Sequence, residues 1–230
     1  MNTLFFKRTL FYALTAVVLL QSCDDKDDVI EPPLVVSGQS FTQSFETLAE
    51  AQTQGWVFKN RSDDPATGWV VRSNVRFSGV APFDGTRVLY SNYLASNGVD
   101  GNISDWAISP KRIFQNGDKI SFYTISSGTT DGYGDRLQLR LNIFNTSDSI
   151  GTESTDIGNF TKPLIDINPL YKIAGPGDYP TTWTKYEATI AGLNKPDSGR
   201  FAIRYFVEIH GGANADELAI DKVEFKSATP

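Results

Sequence analysis

Cysteine and histidine are nearly absent from this sequence of 230 residues, which contains one of each, Cys23 and His210. A single cysteine excludes an intramolecular disulfide. A Ser-His-Asp site would need His210, and the segment 210–217 that it begins carries no nucleophile signature. The 27 acidic residues show no spacing that selects a pair for glycoside hydrolysis. We therefore predict that the protein is not an enzyme, and we keep a glycan-directed hydrolase as the weakest alternative.

Long hydrophobic runs are also absent, apart from residues 10–20, which follow Lys7 and Arg8. Basic residues ahead of such a run are the layout of an export signal, and the run is too short to span a bilayer comfortably. It ends in Leu20-Gln21-Ser22-Cys23, which resembles the lipobox of bacterial lipoproteins. The resemblance implies that residues 1–22 are removed and that lipidated Cys23 anchors the chain in the outer membrane. The alternative is a buried N-terminal helix.

Positive charge is scarce as well, with a formal net charge of −6 that becomes −8 when Lys7 and Arg8 are lost with the leader. Such a surface disfavours nucleic acid as a partner, and it leaves the lipid anchor as the only predicted contact with a membrane. The acidic run 24–28 resembles a surface-export signal of Bacteroidota-type lipoproteins, or else it is a solvated tether. Residues 23–40, which include Pro32 and Pro33, are predicted to form a linker ahead of one domain at residues 41–227.

Alternation of apolar and polar residues predicts strands throughout that domain. Residues 137–143 place four apolar side chains on one face and three polar ones towards water, and residues 201–209 repeat the pattern with Phe206 on the second face. Residues 119–126 and 185–190 are also strand-like. One short helix is predicted, because Thr47 to Glu50 fits a capping box and Gly55 can end the helix. The predicted fold is all-β, an antiparallel sandwich of the jelly-roll type.

A set of short motifs in a fixed order resembles the choice-of-anchor J domains, which are relatives of the cleaved-adhesin modules. The motifs are Phe45-Glu46, Gly55-Trp56, Trp69, SDWAISPKRI at residues 104–113 and IDKVEF at residues 220–225. The resemblance covers about residues 41–226. It implies a galactose-binding-like or MAM-like jelly roll on an anchored bacterial protein that serves in adhesion or carbohydrate binding, with a structural Ca²⁺ held by Glu46 and Asp221. Two departures stand out: Lys222 replaces an acidic residue, and Leu218 replaces a tryptophan.

The last motif also carries a physical argument. Leu218 and Ile220 have one parity and Val223 and Phe225 have the other, so a β-bulge at Asp221-Lys222 is needed to keep all four on one face. The bulge would turn the Asp221 carboxylate, which meets Glu46 if the terminal strands are neighbours. Two adjoining carboxylates favour a bound Ca²⁺ in a calcium-rich exterior. In the plainer interpretation Asp221 caps a turn and Glu46 is solvated.

Ligand-binding candidates come from loops and aromatic residues. Asp131, Tyr133 and Asp135 lie in a glycine-rich segment that can stack on a sugar ring, hold a second ion or be an ordinary turn. Trp183, Tyr93 and Tyr179 are the other aromatic candidates, because the remaining tryptophans fall in the family's structural motifs. The leading hypothesis is a non-catalytic, lipid-anchored envelope module that binds an extracellular glycan or protein. The alternative is a structural subunit of an outer-membrane assembly, which an exposed apolar patch would indicate.

Overall fold

Two antiparallel sheets of six strands each form a sandwich in a computed structural model that describes residues 38–75, 79–97, 101–127, 133–208 and 214–228. Cys23, Asp131 and His210 therefore lie outside the described residues. Within the described ranges, no helix has the length and apolar character that crossing a membrane would require.

The first sheet is built around its longest strand, which contains the segment predicted to carry a bulge. Its strands are β1 (Phe41–Gln43), β3 (Val70–Arg72), β4 (Val88–Asn92), β7 (Lys119–Ser126), β10 (Thr184–Thr189) and β12 (Glu217–Lys226). The order is β10-β7-β12-β4-β3. Along the edge of β12 away from β7, β4 pairs with residues 217–220 and β1 pairs with residues 223–225. Strands β4 and β1 thus lie end to end, with a gap beside Asp221 and Lys222.

The second sheet repeats this arrangement around β11. Its strands are β2 (Val57–Asn60), β5 (Ile103–Ile108), β6 (Arg112–Phe114), β8 (Leu137–Asn142), β9 (Lys162–Ile167) and β11 (Asp197–Val207). The order is β2-β5-β11-β8-β9, and β6 pairs with β11 beyond the end of β5. Together the sheets confirm the predicted all-β sandwich.

The core lies between the two inner faces and is rich in aromatic rings. Phe201 of β11 is fully buried, lies parallel to Phe41 at a centroid distance of 6.3 Å, and meets Trp56 edge-on at 5.8 Å. Phe45 continues the set at 5.0 Å from Trp56. These side chains sit on β1, β11 and the segment between β1 and β2, so the aromatic contacts tie the two sheets together.

The local predictions for the helix and the bulge are confirmed. Helix α1 spans Leu48–Thr53, and the Thr47 side chain accepts a hydrogen bond from the Glu50 backbone N–H at 3.1 Å. Gly55 has a φ of 96°, a value that glycine adopts without strain. In β12 the register with β7 shifts between Asp221 and Glu224, and Lys222 has a φ of 47°. Leu218, Ile220, Val223 and Phe225 consequently all reach the core.

The prediction that one face of β8 is in water is wrong. Gln138, Arg140 and Asn142 alternate with the core residues as expected, yet all three are buried. The segment between β8 and β9 folds back over them, and it accepts hydrogen bonds from Arg140 Nε at Phe160 O (2.8 Å) and from Asn142 Nδ2 at Ser147 O (3.0 Å). Arg140 and Asn142 thus donate to backbone carbonyls instead of water, and Gln138 Nε2 donates to Asp166 Oδ2 at 3.1 Å.

We predict that Phe201→Ala lowers the free energy of unfolding by about 3–5 kcal/mol, because it removes a buried ring from the contact between the sheets. The matched control is Phe144→Ala, the same change at a ring that is 71% exposed. Urea titration followed by tryptophan fluorescence measures both. Equal losses from the two variants would contradict the placement of the core.

Candidate ligand-binding surface

Three aromatic side chains meet on the outer face of the first sheet, and we call Phe83, Tyr123 and Trp183 the aromatic cluster. The rings of Phe83 and Tyr123 are stacked with centroids 3.6 Å apart and an interplanar angle of 16°. Trp183 meets Phe83 at 6.2 Å and 63°. Phe83 remains 39% exposed. One face of the ring lies on Tyr123, and the exposed remainder gives the cluster a stacking surface of the kind that meets a flat ligand.

Each ring reaches the cluster for a local reason. Tyr123 follows Phe122 in β7, and alternation sends Phe122 into the core and Tyr123 outwards. Trp183 lies just before β10, and its Nε1 donates to Ala81 O at 3.0 Å. This hydrogen bond holds the chain segment that precedes β4. Val75 and Val80, which also precede β4, pack on the outer face of the sheet. That segment covers part of the face and leaves Phe83 at its border.

Beyond the aromatic cluster the sheet face is polar, and Lys119, Lys185 and Glu187 on it are exposed. We call Lys119, Ser121, Lys185, Glu187 and Glu224 the polar strip. Lys119 Nζ lies 2.8 Å from Glu187 Oε1, and Lys185 Nζ lies 3.3 Å from Glu187 Oε2. Exposed ion pairs of this kind add little to stability. They do place donors and acceptors beside Tyr123, whose strand partner across the sheet is Lys185.

The outer face of the second sheet is closed. Arg204 lies over the Phe206 ring at 3.7 Å and over the Trp106 ring at 4.7 Å, and Arg136 lies over Phe206 at 5.2 Å. Burial lowers the pKa of Arg204 to about 9, and neighbouring arginines act in the same direction. The β8–β9 segment covers this stack through Phe160, which packs on Trp106 at 5.7 Å. The aromatic and cationic groups here stabilise the sheet and are not available to a ligand.

Glu46 and Asp221, the predicted calcium ligands, both bind the loop of residues 83–87, which leads into β4. Asp221 Oδ2 accepts the Asp84 N–H at 2.9 Å. Glu46 Oε1 accepts the Thr86 N–H at 2.9 Å, and Glu46 Oε2 accepts the Thr86 hydroxyl at 2.5 Å. Gly85 has a φ of 66°, and a Cβ there would collide with the Glu46 carboxylate. The structure therefore brings the two acids to one loop.

The two carboxyl groups differ in their electrostatics. The hydrogen bond from the Thr86 hydroxyl is the main cause that lowers the pKa of Glu46. Burial raises the pKa of Asp221 to about 6, against the effect of backbone N–H donors, and the charge of Asp84 adds to the rise. Asp221 is thus a buried acid that needs hydrogen bonds or a positive charge nearby.

The donor set does not fit a Ca²⁺ site as it lies. Calcium takes six to eight oxygen ligands, whereas the 83–87 loop turns N–H and O–H donors towards Glu46 and Asp221. Among the described residues, no group of three or more His, Cys, Asp or Glu side chains is arranged to hold a metal ion. The calcium site stays a prediction.

Tyr133 and Asp135 meet at a separate place, around a cavity of about 10 Å³ that Tyr179 and Asp178 also line. Tyr133 is exposed, whereas Asp135 is buried and accepts the Tyr205 hydroxyl at 2.7 Å and the Asp216 N–H at 3.0 Å, both at Oδ1. Among the residues that the structure describes, none forms a hydrogen bond with Asp135 Oδ2. Burial raises the pKa of Asp135 to about 8. The cavity is large enough for a water molecule beside this oxygen.

The predicted ligand-binding residues do not converge on one site. Tyr93 is exposed at the start of a 3-10 helix that follows β4, and its N–H donates to Asp216 O. Tyr179 is buried, so its expected place on a wet face is wrong. Trp183 belongs to the aromatic cluster, but sequence reasoning missed its partners Phe83 and Tyr123. The adjacent pair Phe122-Tyr123 in a strand was a usable signal, since one of two neighbouring rings must face outwards.

A polar cleft of about 340 Å³ lies at another edge, lined by residues 61–65 and 152–154. Its walls include Asp63, Asp64 and Glu153 and contain no aromatic side chain. The Asn102 N–H donates to Asp63 Oδ2 at 2.9 Å, so one of these acids serves the local fold. The cleft has none of the stacking surface that the aromatic cluster offers.

Comparison with solved structures supports the fold. The K1 cleaved adhesin domain of Lys-gingipain from Porphyromonas gingivalis is similar with a TM-score of 0.51 and 18% identity, over 84% of this chain and 100% of that one. The K3 domain of the same protein has a TM-score of 0.52 and 15% identity, over 82% and 98% of the two chains. No protein-family profile and no curated protein matches the sequence. At these identities the likeness shows a shared jelly-roll β-sandwich.

We predict that Asp135→Asn becomes more stable relative to the parent as pH rises from about 4 to about 8. The carboxyl has an ordinary pKa of 3.8 and a raised one of about 8 in the folded chain, so the parent loses stability across this window by at most about 1.4 kcal/mol per pH unit. Asparagine keeps the acceptor for Tyr205 and does not titrate. Urea unfolding at several pH values measures the difference.

The control is Asp156→Asn, because the pKa of Asp156 is shifted in the opposite direction from that of Asp135. Backbone N–H groups of Glu153 and Thr152 lower the pKa of Asp156, so the ionised carboxylate contributes stability that is present at neutral pH and lost on acidification. The free energy of unfolding of this variant should be lower than that of the parent at neutral pH and the same in acid. A stability difference for Asp135→Asn that is constant with pH would contradict the assignment.

Proposed function

We propose that this chain is a non-catalytic binding module that takes an extracellular glycan on the aromatic cluster. The single observation that carries the proposal is the exposed Phe83 ring, held by Tyr123 and Trp183 on an open sheet face. The apolar face of a pyranose stacks on such a ring. A glycan fits this surface better than an apolar ligand does, because polar groups adjoin the rings.

The polar strip supplies those groups. Lys185 and Glu187 extend outwards from β10, next to Tyr123, and a sugar that stacks on Phe83 would meet their donors and acceptors. A ligand-binding surface of few aromatic rings with oriented polar neighbours is the usual arrangement for specific recognition. The sequence motifs support membership of the choice-of-anchor J group, and the similarity to cleaved adhesin domains agrees with a role in adhesion.

A second candidate is a subunit of an envelope assembly, and one observation favours it. Leu170 and Ile173 are strongly exposed in the segment after β9, and Ile173 adjoins the exposed Tyr133 at the small cavity. Apolar side chains grouped in this way suit a protein partner. Loss of co-purifying proteins from a Leu170→Ser/Ile173→Ser variant, with glycan binding intact, would favour this candidate.

The proposed address is the outer membrane, on the cell surface, with the domain held by a lipid on Cys23. The support is the basic and apolar leader that ends in Leu20-Gln21-Ser22-Cys23, followed by an acidic linker. A module that carries a glycan platform needs to stand away from the membrane, and the linker provides this distance.

We predict that Phe83→Ala reduces glycan affinity about tenfold, because it removes the exposed stacking surface. An immobilised-glycan array first selects the ligand for the parent chain, and isothermal titration then compares the variant. Phe144→Ala, another exposed phenylalanine outside the aromatic cluster, is the control and should bind as the parent does. An array without any bound glycan, or equal losses in both variants, would refute the proposal.

We predict that Cys23→Ser abolishes incorporation of labelled fatty acid and releases the protein from the membrane fraction, because no other cysteine can accept the acyl chains. Metabolic labelling of the parent and the variant, followed by fractionation, measures this. The control variant is Ser22→Ala, which keeps a small residue before Cys23 and should therefore be labelled normally. Labelling of the Cys23→Ser protein would exclude the anchor.

A further inference from the structure

Three carboxylates and one ammonium surround the gap between β1 and β4. Glu46 follows β1, Asp84 belongs to the 83–87 loop, and Asp221 lies at the bulge of β12. Lys222 Nζ lies 3.8 Å from Asp84 Oδ1 and 5.8 Å from the centre of the Phe83 ring. Lys222 thus places a positive charge beside Asp84, in the loop that both acids assigned to calcium by the family resemblance, Glu46 and Asp221, bind.

The acids are satisfied by protein groups. Asp221 accepts N–H groups from Asp84 at 2.9 Å and from Lys222 at 2.7 Å. Asp84 Oδ2 accepts the Ser44 hydroxyl at 2.6 Å. Both oxygens of Glu46 accept from Thr86. A Ca²⁺ ion in the gap would need these oxygens to turn away from their donors, and it would lie beside an ammonium group of the same sign.

The backbone aims Lys222 at this place. Its φ of 47° is unusual for a residue with a long side chain, and alternation alone would not direct the ammonium towards the 83–87 loop. Asp84 and Phe83 are adjacent in that loop, so a charge that holds the Asp84 carboxylate also limits the movement of the Phe83 ring. The ring in turn covers Tyr123.

We propose that Lys222 replaces a metal ion in this chain: its ammonium neutralises the acids at the gap, holds the 83–87 loop and positions Phe83 on Tyr123, so the domain needs no Ca²⁺. The inference does not rest on the proposed glycan. Lys222 acts as a positioning residue, and the measurable consequences are calcium-independent stability and a fixed environment for the aromatic cluster.

The test compares the purified full chain with Lys222→Met, Lys222→Arg and Lys226→Met. Methionine keeps an apolar stem and removes the charge, and arginine keeps the charge. Lys226 lies on the same strand, is more exposed and pairs with Glu224 at 3.7 Å, so its methionine variant controls for the loss of a surface lysine. Thermal unfolding reports stability, and near-ultraviolet circular dichroism reports the packing of Tyr123 and Trp183.

We expect the melting temperature of the parent to be the same in millimolar CaCl₂ and in excess EGTA. Lys222→Met should melt several degrees lower and show an altered near-ultraviolet spectrum, Lys222→Arg should restore both, and Lys226→Met should resemble the parent. A rise in the melting temperature of the parent with calcium, or a Lys222→Met protein that matches Lys226→Met in both readouts, would overturn the proposal. Neither readout uses a glycan, so failure here is distinct from failure of the proposed function.

Discussion

Strand β12 has to bury apolar side chains on one face along its whole length, and the rest of the first sheet depends on how it does so. Leu218 and Ile220 have a different parity from Val223 and Phe225, yet all four lie in the core. An extra residue at the bulge reconciles the two parities, at the expense of regular pairing between Asp221 and Glu224. The interruption falls where β4 ends its pairing and β1 begins. The gap in the sheet is therefore a consequence of core packing.

The gap creates the surface that we assign to a ligand. Polar groups beside the gap need hydrogen-bond partners. Glu46 and Asp221 accept hydrogen bonds from backbone N–H groups of the 83–87 loop. The loop carries Phe83 out of the core and onto Tyr123. The packing of β12 in the core thus helps to determine where the exposed Phe83 ring lies on the outer face.

The sequence separation of the residues in each interaction determines whether that interaction could be predicted from the sequence. The capped helix at Thr47 and the bulge at Asp221 depend on neighbours within a few residues, and both were predicted correctly. The burial of Arg140 depends on a segment that returns about twenty residues later, so alternation wrongly placed it in water. Phe83 belongs to no periodic element, and its contact with Tyr123 joins residues forty apart. A local sequence pattern cannot predict a contact between residues so far apart in the chain.

Buried acids and exposed rings also separate structural roles from binding roles. The sequence predicts Asp135 as a ligand-binding residue because it adjoins glycines and Tyr133, but its Oδ1 accepts two internal hydrogen bonds and its side chain is enclosed. Trp183 is the tryptophan outside the family's motifs, and it lies beside the exposed Phe83 ring. Burial was the deciding property in both cases. The enclosed Asp135 side chain cannot contact a large ligand, whereas part of the Phe83 ring is exposed.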